Sequence, residues 1–522
     1  MTSKKAPEII TPATAAQWIK DGSTVVTTGF TLLGVAEEIY LALRESFDKT
    51  GHPRDLTLVH AAGQSKMGEG IDYLAATPLI KRIIGSHWGM CPGLYHLIQA
   101  ELVEGICLPM GQIVNLYRAI AANRPGILSK IGIGTFIDPQ QDGGALNEPA
   151  VNSQYKLISE MEIDGERHLF YKAFPIDIYI GRGTTADENG NITIEDEAAR
   201  LSMLPAAMAA KKCGGKVIIQ VKNLAKAGTL DPARVVLPGI FVDAVVVSQN
   251  KEKHHRVTHS AFESAVFSGR VKAPFNPLDN SETDHKDLAL KYIGRRAVKE
   301  IKQGNVVNLG VGIPGNAIGP VIEKEGLADQ IYLTIENGII GGVTLGGWDF
   351  GVAKNPEAII DKPSQFDYYN GWGVDATFMG VAEVDYNGNV NVSKFGSRSV
   401  GCGGFIDITQ SAKKVVFCFT FMSGGLEIAF AGGKLAVKKE GKHRKFVDKV
   451  NQITFNGYNA AASGQTVLFI TERAVFSLTK SGLTLTEVAP GVDVKNDILD
   501  KMDFMPIISE DLKVMSLEIF EN

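Results

Sequence analysis

The chain has 522 residues, which at roughly 100–200 residues per domain is room for two to four domains with cores of their own. A hydrophobic fraction of 44% and a charged fraction of 21% exclude wholesale disorder, and a net charge of -5 argues against a general nucleic-acid binder. Glycine is in excess at 56 residues, so many tight turns or close backbone approaches to a ligand are expected.

No apolar segment follows Met1-Thr2-Ser3-Lys4-Lys5, so no secretory signal is expected and the chain reads as cytoplasmic. No apolar run approaches the ~18 residues of a membrane span, so no membrane partner is expected. The first predicted elements are a helix end at Trp18-Ile19-Lys20-Asp21-Gly22 and a short strand at Thr24-Val25-Val26-Thr27, stopped by Gly29. Further on, Asp187-Glu188-Asn189-Gly190-Asn191 carries an Asn-Gly hairpin signal. The runs Lys216-Val217-Ile218-Ile219 and Ala244-Val245-Val246-Val247 read as buried strands of a parallel sheet. The cysteines are Cys91, Cys107, Cys213, Cys402 and Cys418; with no Cys-x-x-Cys pair, neither a disulfide framework nor a structural zinc or other metal site is expected. From Val247 to Asp284 the chain turns polar and proline-bearing, which reads as a linker or long crossing loop, with His254-His255 in a solvated part of it. A helical pattern restarts near His285 with Leu288, Tyr292, Ile293 and Ala297.

The second half echoes the first. Glu300-Ile301-Lys302-Gln303-Gly304 leads into Asn305-Val306-Val307-Asn308-Leu309-Gly310, again a helix end, a glycine stop and a strand closed by glycine. Asp385-Tyr386-Asn387-Gly388-Asn389 repeats the earlier hairpin, and Lys414-Val415-Val416-Phe417 repeats the Lys216 strand at the same offset. The predicted fold is therefore α/β: two related open domains with mostly parallel sheets covered by helices. Residues 1–275 form the first, 276–285 end the linker, and 286–522 form the second. Ligands of such sheets bind beyond the carboxyl ends of the strands, which puts an active site in the cleft between the domains.

Two glycine turns stand at those strand ends. Gly310-Val311-Gly312-Ile313-Pro314-Gly315 follows a strand and opens a helix, a geometry that brings backbone amides to an anionic ligand. The next strand, Ile331-Tyr332-Leu333-Thr334-Ile335, ends in Glu336, where a dinucleotide-binding fold would carry its ribose-binding acid. Beyond it the glycine-dense Asn337-Gly338-Ile339-Ile340-Gly341-Gly342 suits a carboxylate that substrate must reach. A second turn, Gly401-Cys402-Gly403-Gly404-Phe405, would face the same cleft, its amides supporting a carboxylate nucleophile at Glu336. Cys402 as a thiolate nucleophile has no histidine nearby in sequence, and no Gly-x-Ser-x-Gly elbow, Walker turn or His-Glu-x-x-His helix is present.

At these residues the sequence resembles the glutamate-dependent CoA-transferases of family I, most closely the single-chain short-chain acyl-CoA:acetate or propionate type. The motifs that carry the resemblance are Asn308-Leu309-Gly310-Val311-Gly312-Ile313, Glu336-Asn337-Gly338, Gly401-Cys402-Gly403-Gly404-Phe405-Ile406-Asp407 and, in the first half, Gly132-Ile133-Gly134-Thr135-Phe136 with Gly143-Gly144-Ala145-Leu146-Asn147. The resemblance implies that Glu336 attacks the acyl-CoA carbonyl, that Gly310, Val311 and Gly312 line a CoA tunnel, and that amides of Gly403 and Gly404 bind CoA and hold an oxyanion. It implies coenzyme A as a substrate with no tightly bound cofactor, a short-chain acid as the second substrate bound on the side of the first domain, and a homodimer or homotetramer. The family usually carries Pro-Gln-Gly at the end of the first-half sheet; here the stretch is Pro109-Met110-Gly111-Gln112, so Met110 stands at the glutamine position, and Gln112 is the side chain that could replace it if the chain stays extended. An acyl-CoA hydrolase, a catalytically silent CoA-binding sensor, and a nicotinamide-dependent dehydrogenase using Gly310–Gly315 and Glu336 are the rival readings.

Overall fold

The structure, a computed structural model, describes residues 6–66, 68–274 and 287–521. It contains two large sheets. The first is built from β1 (Glu8–Ile10), β2 (Thr24–Thr27), β3 (Leu56–His60), β4 (Ile80–Gly85), β5 (Glu104–Cys107), β6 (Ile178–Arg182), β7 (Lys216–Val221) and β8 (Ala244–Val247), in the order β1-β8-β7-β6-β2-β3-β4-β5. Every neighbouring pair in it is parallel. Helices cover both faces of a sheet like this, so β2 and β3 are buried along their whole length and read as continuous β-branched and aliphatic runs.

The second sheet takes β9 (Val306–Leu309), β10 (Tyr332–Ile335), β11 (Ile339–Ile340), β12 (Ala358–Ile359), β13 (Ala376–Met379), β14 (Lys414–Cys418), β15 (Thr466–Ile470), β16 (Ala474–Thr479), β17 (Gly482–Val488) and β18 (Ile507–Val514). Its order is β12-β11-β10-β9-β13-β14-β15-β16-β17-β18. The run β10-β9-β13-β14-β15 is parallel and repeats the order and direction of β3-β2-β6-β7-β8 in the first sheet. The repeat reaches individual hydrogen bonds. Asp177 accepts the Thr24 N–H (2.8 Å) where the chain enters β6, and Asp375 accepts the Val306 N–H (2.9 Å) at the matching place before β13. In the hairpins, the Asp187 carboxylate gathers the N–H groups of Asn189 and Asn191, and the Asp385 carboxylate gathers those of Asn387 and Asn389.

The expected linker differs from the structure over the part that is described. The end of the linker, 276–285, lies outside the described residues. Upstream of it, the chain after Val247 folds onto the first sheet instead of crossing solvent. The buried Glu38 carboxylate accepts Ser248 Oγ (2.8 Å) and the N–H groups of Gln249 (2.9 Å) and Asn250 (2.6 Å). Gln220 Nε2 donates to the His254 carbonyl (3.0 Å), and Arg182 donates to the Arg256 carbonyl (2.9 Å). His255 is 0% exposed beside the Arg182–Glu197 ion pair, and burial holds its imidazole neutral, with a pKa of about 4. Polarity in this stretch serves buried partners, which composition alone does not distinguish from solvation. The helical restart is real: Leu288–Val298 is a helix capped by Asp287, whose side chain accepts the Ala289 N–H.

The domains meet along a broad face. Gln410 accepts the Gly132 N–H (2.7 Å), Ile453 accepts the Phe136 N–H (2.8 Å), and Asn456 donates to the Gly134 carbonyl (2.9 Å). The glycine-rich 132–138 segment is thus an interdomain strap.

Candidate active site

Glu336 follows β10 directly and lines a cavity of about 370 Å³ between the domains. The two residues after it set its position. Gly338 adopts φ +106°, and a Cβ there would lie 2.1 Å from the Ile360 carbonyl oxygen, so only glycine fits. Its N–H donates to Ile335 (3.0 Å) and its carbonyl accepts from Ile360 (2.8 Å), which folds the chain sharply back into β11. Asn337 is fully buried and its side-chain amide donates to the Gly351 carbonyl. The Glu-Asn-Gly triplet is therefore a rigid bracket holding one acid at the strand end.

Glu336 is 9% exposed, and among the described residues it is the one carboxylate in the cavity lining. Burial pushes its pKa up; its own backbone N–H and the charge of Lys362 act the other way. Lys362 is 1% exposed at the start of helix Lys362–Gly371, and burial pushes its pKa down while Glu336 pulls it back up. Its ammonium lies 4.7 Å from the centre of the Phe30 ring, a first-domain residue that lines the cavity. The sequence reading missed Lys362. The available signal was a lysine in a first helical turn just ahead of Pro363, where the helix dipole disfavours a cation and some other charge must compensate.

The second glycine turn is stitched to the first domain. A Cβ on Gly401, at φ +81°, would lie 2.2 Å from the Ser86 carbonyl oxygen. The Gly403 N–H donates to that same carbonyl (2.8 Å), and the Gly403 carbonyl accepts from Met110 (3.0 Å). Gly403 lines the cavity, and its amide donates to the Ser86 carbonyl. Gly404 also lines the cavity, and its N–H has no acceptor among the described residues. In the first turn, the Gly310 N–H is likewise taken, by Phe378 (2.8 Å). Gly310 and Val311 line the cavity, with Val311 56% exposed, whereas Gly312 caps helix Ile313–Lys324 at φ +87° outside the lining.

Met110 lines the cavity; Gly111 and Gln112 do not. The chain turns helical at Met110, so the residue two positions on points to a different face instead of returning to the same one. Gln112 is 2% exposed and donates to Asp407 (2.8 Å), and the Gly111 N–H donates to the other oxygen of that carboxylate (3.0 Å). Gln112 therefore does not replace the missing glutamine side chain. The wall beside Met110 is apolar, with Phe30, Met90 and Phe350, and its imidazole, His87, is held neutral by burial and by nearby His60, with a pKa of about 4. Cys402 sits 3.7 Å from Cys107, sulfur to sulfur, and burial raises its thiol pKa well above the ordinary value, which removes it as a nucleophile.

Residues 9–248 match the family model described as coenzyme A transferase. The caffeate CoA-transferase of Acetobacterium woodii is 42% identical over 519 residues, covering 98% of this chain and 97% of that protein. The acetate CoA-transferase YdiF of Escherichia coli K12 is 40% identical over 515 residues, covering 98% and 95%. Among solved structures, the apoenzyme of the acyl-CoA transferase YdiF from Escherichia coli O157:H7 aligns with a TM-score of 0.90 at 39% identity, over 100% of this chain and 97% of that one. A thioester complex of the same enzyme with CoA aligns with a TM-score of 0.89 at 38% identity, over 99% and 96%.

Proposed function

The chain belongs to the coenzyme A transferase family, and from that premise we propose that it moves CoA between acyl-CoA and short-chain monocarboxylic acids such as acetate or propionate, through a glutamyl-CoA thioester on Glu336. The observation that carries the reading is the Glu336 carboxylate, single among the described residues lining the interdomain cavity and bracketed at a strand end by Asn337 and Gly338. A Glu336 oxygen attacks the acyl carbonyl and CoA leaves as thiolate, giving a mixed anhydride. The thiolate then attacks the glutamyl carbonyl and the first acid departs as carboxylate. The thioester energy is retained on the protein, and a second acid reverses the two steps, so the kinetics are ping-pong.

The protein's part is to bind, orient and exclude water. Gly310 and Val311 form the wall for the pantetheine arm, and the free Gly404 amide is the donor that the second turn has left for an oxyanion; such a donor contributes roughly 3–4 kcal/mol. The acid lies against the Met110 wall of the first domain. Among the described residues no cation lines that wall, which favours apolar acyl groups over dicarboxylates. In this reading coenzyme A is a substrate and no cofactor is tightly held, the enzyme works in the cytoplasm, and it assembles as a homodimer or homotetramer. Among the described residues no helix is long and apolar enough to cross a membrane.

Incubation with propionyl-CoA and no acceptor acid, followed by peptide mass mapping, tests the mechanism. The peptide containing Glu336 should gain the mass of CoA less water, and Glu336→Gln should abolish both the adduct and transfer to acetate. Active turnover with an unmodified Glu336 peptide would overturn it, and CoA release that ignores added acetate would make the enzyme a hydrolase.

A further inference from the structure

His87 enters the cavity from the first domain with its backbone held by the second. It pairs with Gly401 as an antiparallel bridge. On either side of it the Ser86 carbonyl accepts the Gly403 N–H (2.8 Å) and the Trp88 N–H donates to the Val400 carbonyl (2.8 Å). The side chain stands beside Met110 over the second glycine turn: a Cβ on Gly403 would lie 3.9 Å from Met110 Cε and 4.0 Å from His87 Cβ. Two more glycines leave the ring edge bare. A Cβ on Gly63 would lie 3.0 Å from Nδ1, and one on Gly89 would lie 3.0 Å from Nε2. Among the described residues neither ring nitrogen has a hydrogen-bond partner, and neither is sealed in protein as His60 Nε2 is.

The other polar side chains of the lining are engaged. Thr31 Oγ1 donates to the Phe30 carbonyl (2.6 Å). Asn308 donates to the Thr334 carbonyl (3.2 Å) and to the Tyr369 hydroxyl (3.4 Å). The Cys402 thiol lies against Cys107, 3.7 Å from sulfur to sulfur. Glu336 is itself the nucleophile. Among the described residues His87 is therefore the lining side chain with an N–H left to give.

We propose that His87 is the acid-binding residue of the transfer reaction: its imidazole N–H donates to the acid oxygen that does not attack the glutamyl thioester, while the alkyl chain lies along Met90 and Met110. This rests on the Glu336 thioester reading above. No bond forms or breaks at the ring. One acid oxygen attacks the glutamyl carbonyl; the other stays on the N–H as it becomes the acyl oxygen of the anhydride and then of acyl-CoA. Burial, His60 and the charge of Arg398 keep the imidazole neutral, with a pKa of about 4, so at pH 7 it offers an N–H and no charge. A neutral donor on an apolar wall suits an acid whose far end is hydrocarbon, because a second carboxylate would lose its water there without a cation to meet it.

The test uses His87→Phe, which keeps a flat ring and removes the donor, and His87→Gln, which keeps a donor. The imidazole makes no hydrogen bond to the described residues, so replacing it breaks none and both variants should melt close to the parent. Each enzyme is charged with excess propionyl-CoA and freed of propionate by gel filtration. It is then mixed with acetate or with hydroxylamine, a nucleophile that has no carboxylate to anchor. His87→Phe should react with acetate more slowly by about tenfold or more, and with hydroxylamine as fast as the parent does; His87→Gln should stay within about threefold of the parent with both. His87→Leu reads the same loss through a smaller side chain. Acetate rates unchanged in His87→Phe and His87→Leu would overturn the proposal. So would acetate and hydroxylamine rates that fall together, which would make His87 a wall of the glutamyl site. A parent enzyme that takes up no CoA on Glu336 would bring down the thioester reading itself, and this inference with it.

Discussion

At Glu336 the position of the carboxylate depends on a neighbour with no side chain. Gly338 holds φ +106° against the Ile360 carbonyl, and any Cβ there must displace that strand. Gly338→Ala should therefore destabilise the protein by about 2–4 kcal/mol, from left-handed strain plus the displaced backbone, and lower transfer more than stability alone explains because Glu336 moves with the turn. Urea denaturation beside a transfer assay checks it, and a fully active variant with unchanged stability would show that the bracket does not position the acid. Glu336 was readable in the sequence because its context is local: a strand, an acid, then glycines. Lys362, His87 and Met90 were not, since each reaches the cavity from a different element and has no neighbour in sequence that marks it. Gln112 misled for the same reason. Its position relative to Met110 depends on whether the chain is extended or helical there, and the apolar spacing of Ile113, Val114, Leu116 and Tyr117 that makes it helical begins only after the residue in question.

Between elements, the decisive contact is a carboxylate from one domain capping a helix of the other. Helix Met110–Ala121 follows Pro109, which has no side chain able to cap it. Asp407, in the first turn of helix Phe405–Ser411, supplies the acceptor from across the interface and takes both the Gly111 N–H and the Gln112 amide. Gly111 is required because a Cβ would sit 2.4 Å from that carboxylate. The glycine turn before Asp407 was visible in the sequence, but its work was not: it docks on Ser86 and Met110, some three hundred residues away along the chain, instead of turning all its amides to the ligand. Burial raises the Asp407 pKa to about 6 despite these donors. A folded pKa above the unfolded one means that the native state holds a proton the unfolded chain releases, so this group's contribution is present at low pH and lost as pH rises from about 4 to about 6. Asp407→Asn cannot ionise and still accepts from Gly111. Its stability relative to the parent should therefore improve by about 3 kcal/mol between those pH values. Chemical denaturation at a series of pH values measures the gap, and parallel curves would mean that Asp407 titrates as an exposed acid does.

Across the whole molecule, the internal echoes were enough to expect two related α/β domains, because a hairpin and the strand after it can hardly both recur at one offset by chance. They were not enough to show how the halves depend on each other. One apolar cluster runs from Ile39 and Val59 of the first domain through Met110 and Phe366 to Phe417 and Phe476 of the second, and a separate cluster lies within the second domain alone. The strap at Gly132–Phe136, the Gly401–Gly403 turn and the Asp407 cap all cross the same face. Pulling the domains apart would expose that shared core and leave the Gly111 and Gly403 amides without their partners, a cost that neither half recovers alone. Unfolding should therefore be one event. Under hydrogen exchange in a urea series, peptides containing Val25 and Val26 and peptides containing Val415 and Val416 should lose protection at the same urea concentration, although they come from the centres of different sheets. Midpoints separated by more than the error of the method would make the domains independent units, and a cavity walled by both would then have to assemble on substrate binding instead of standing ready for it.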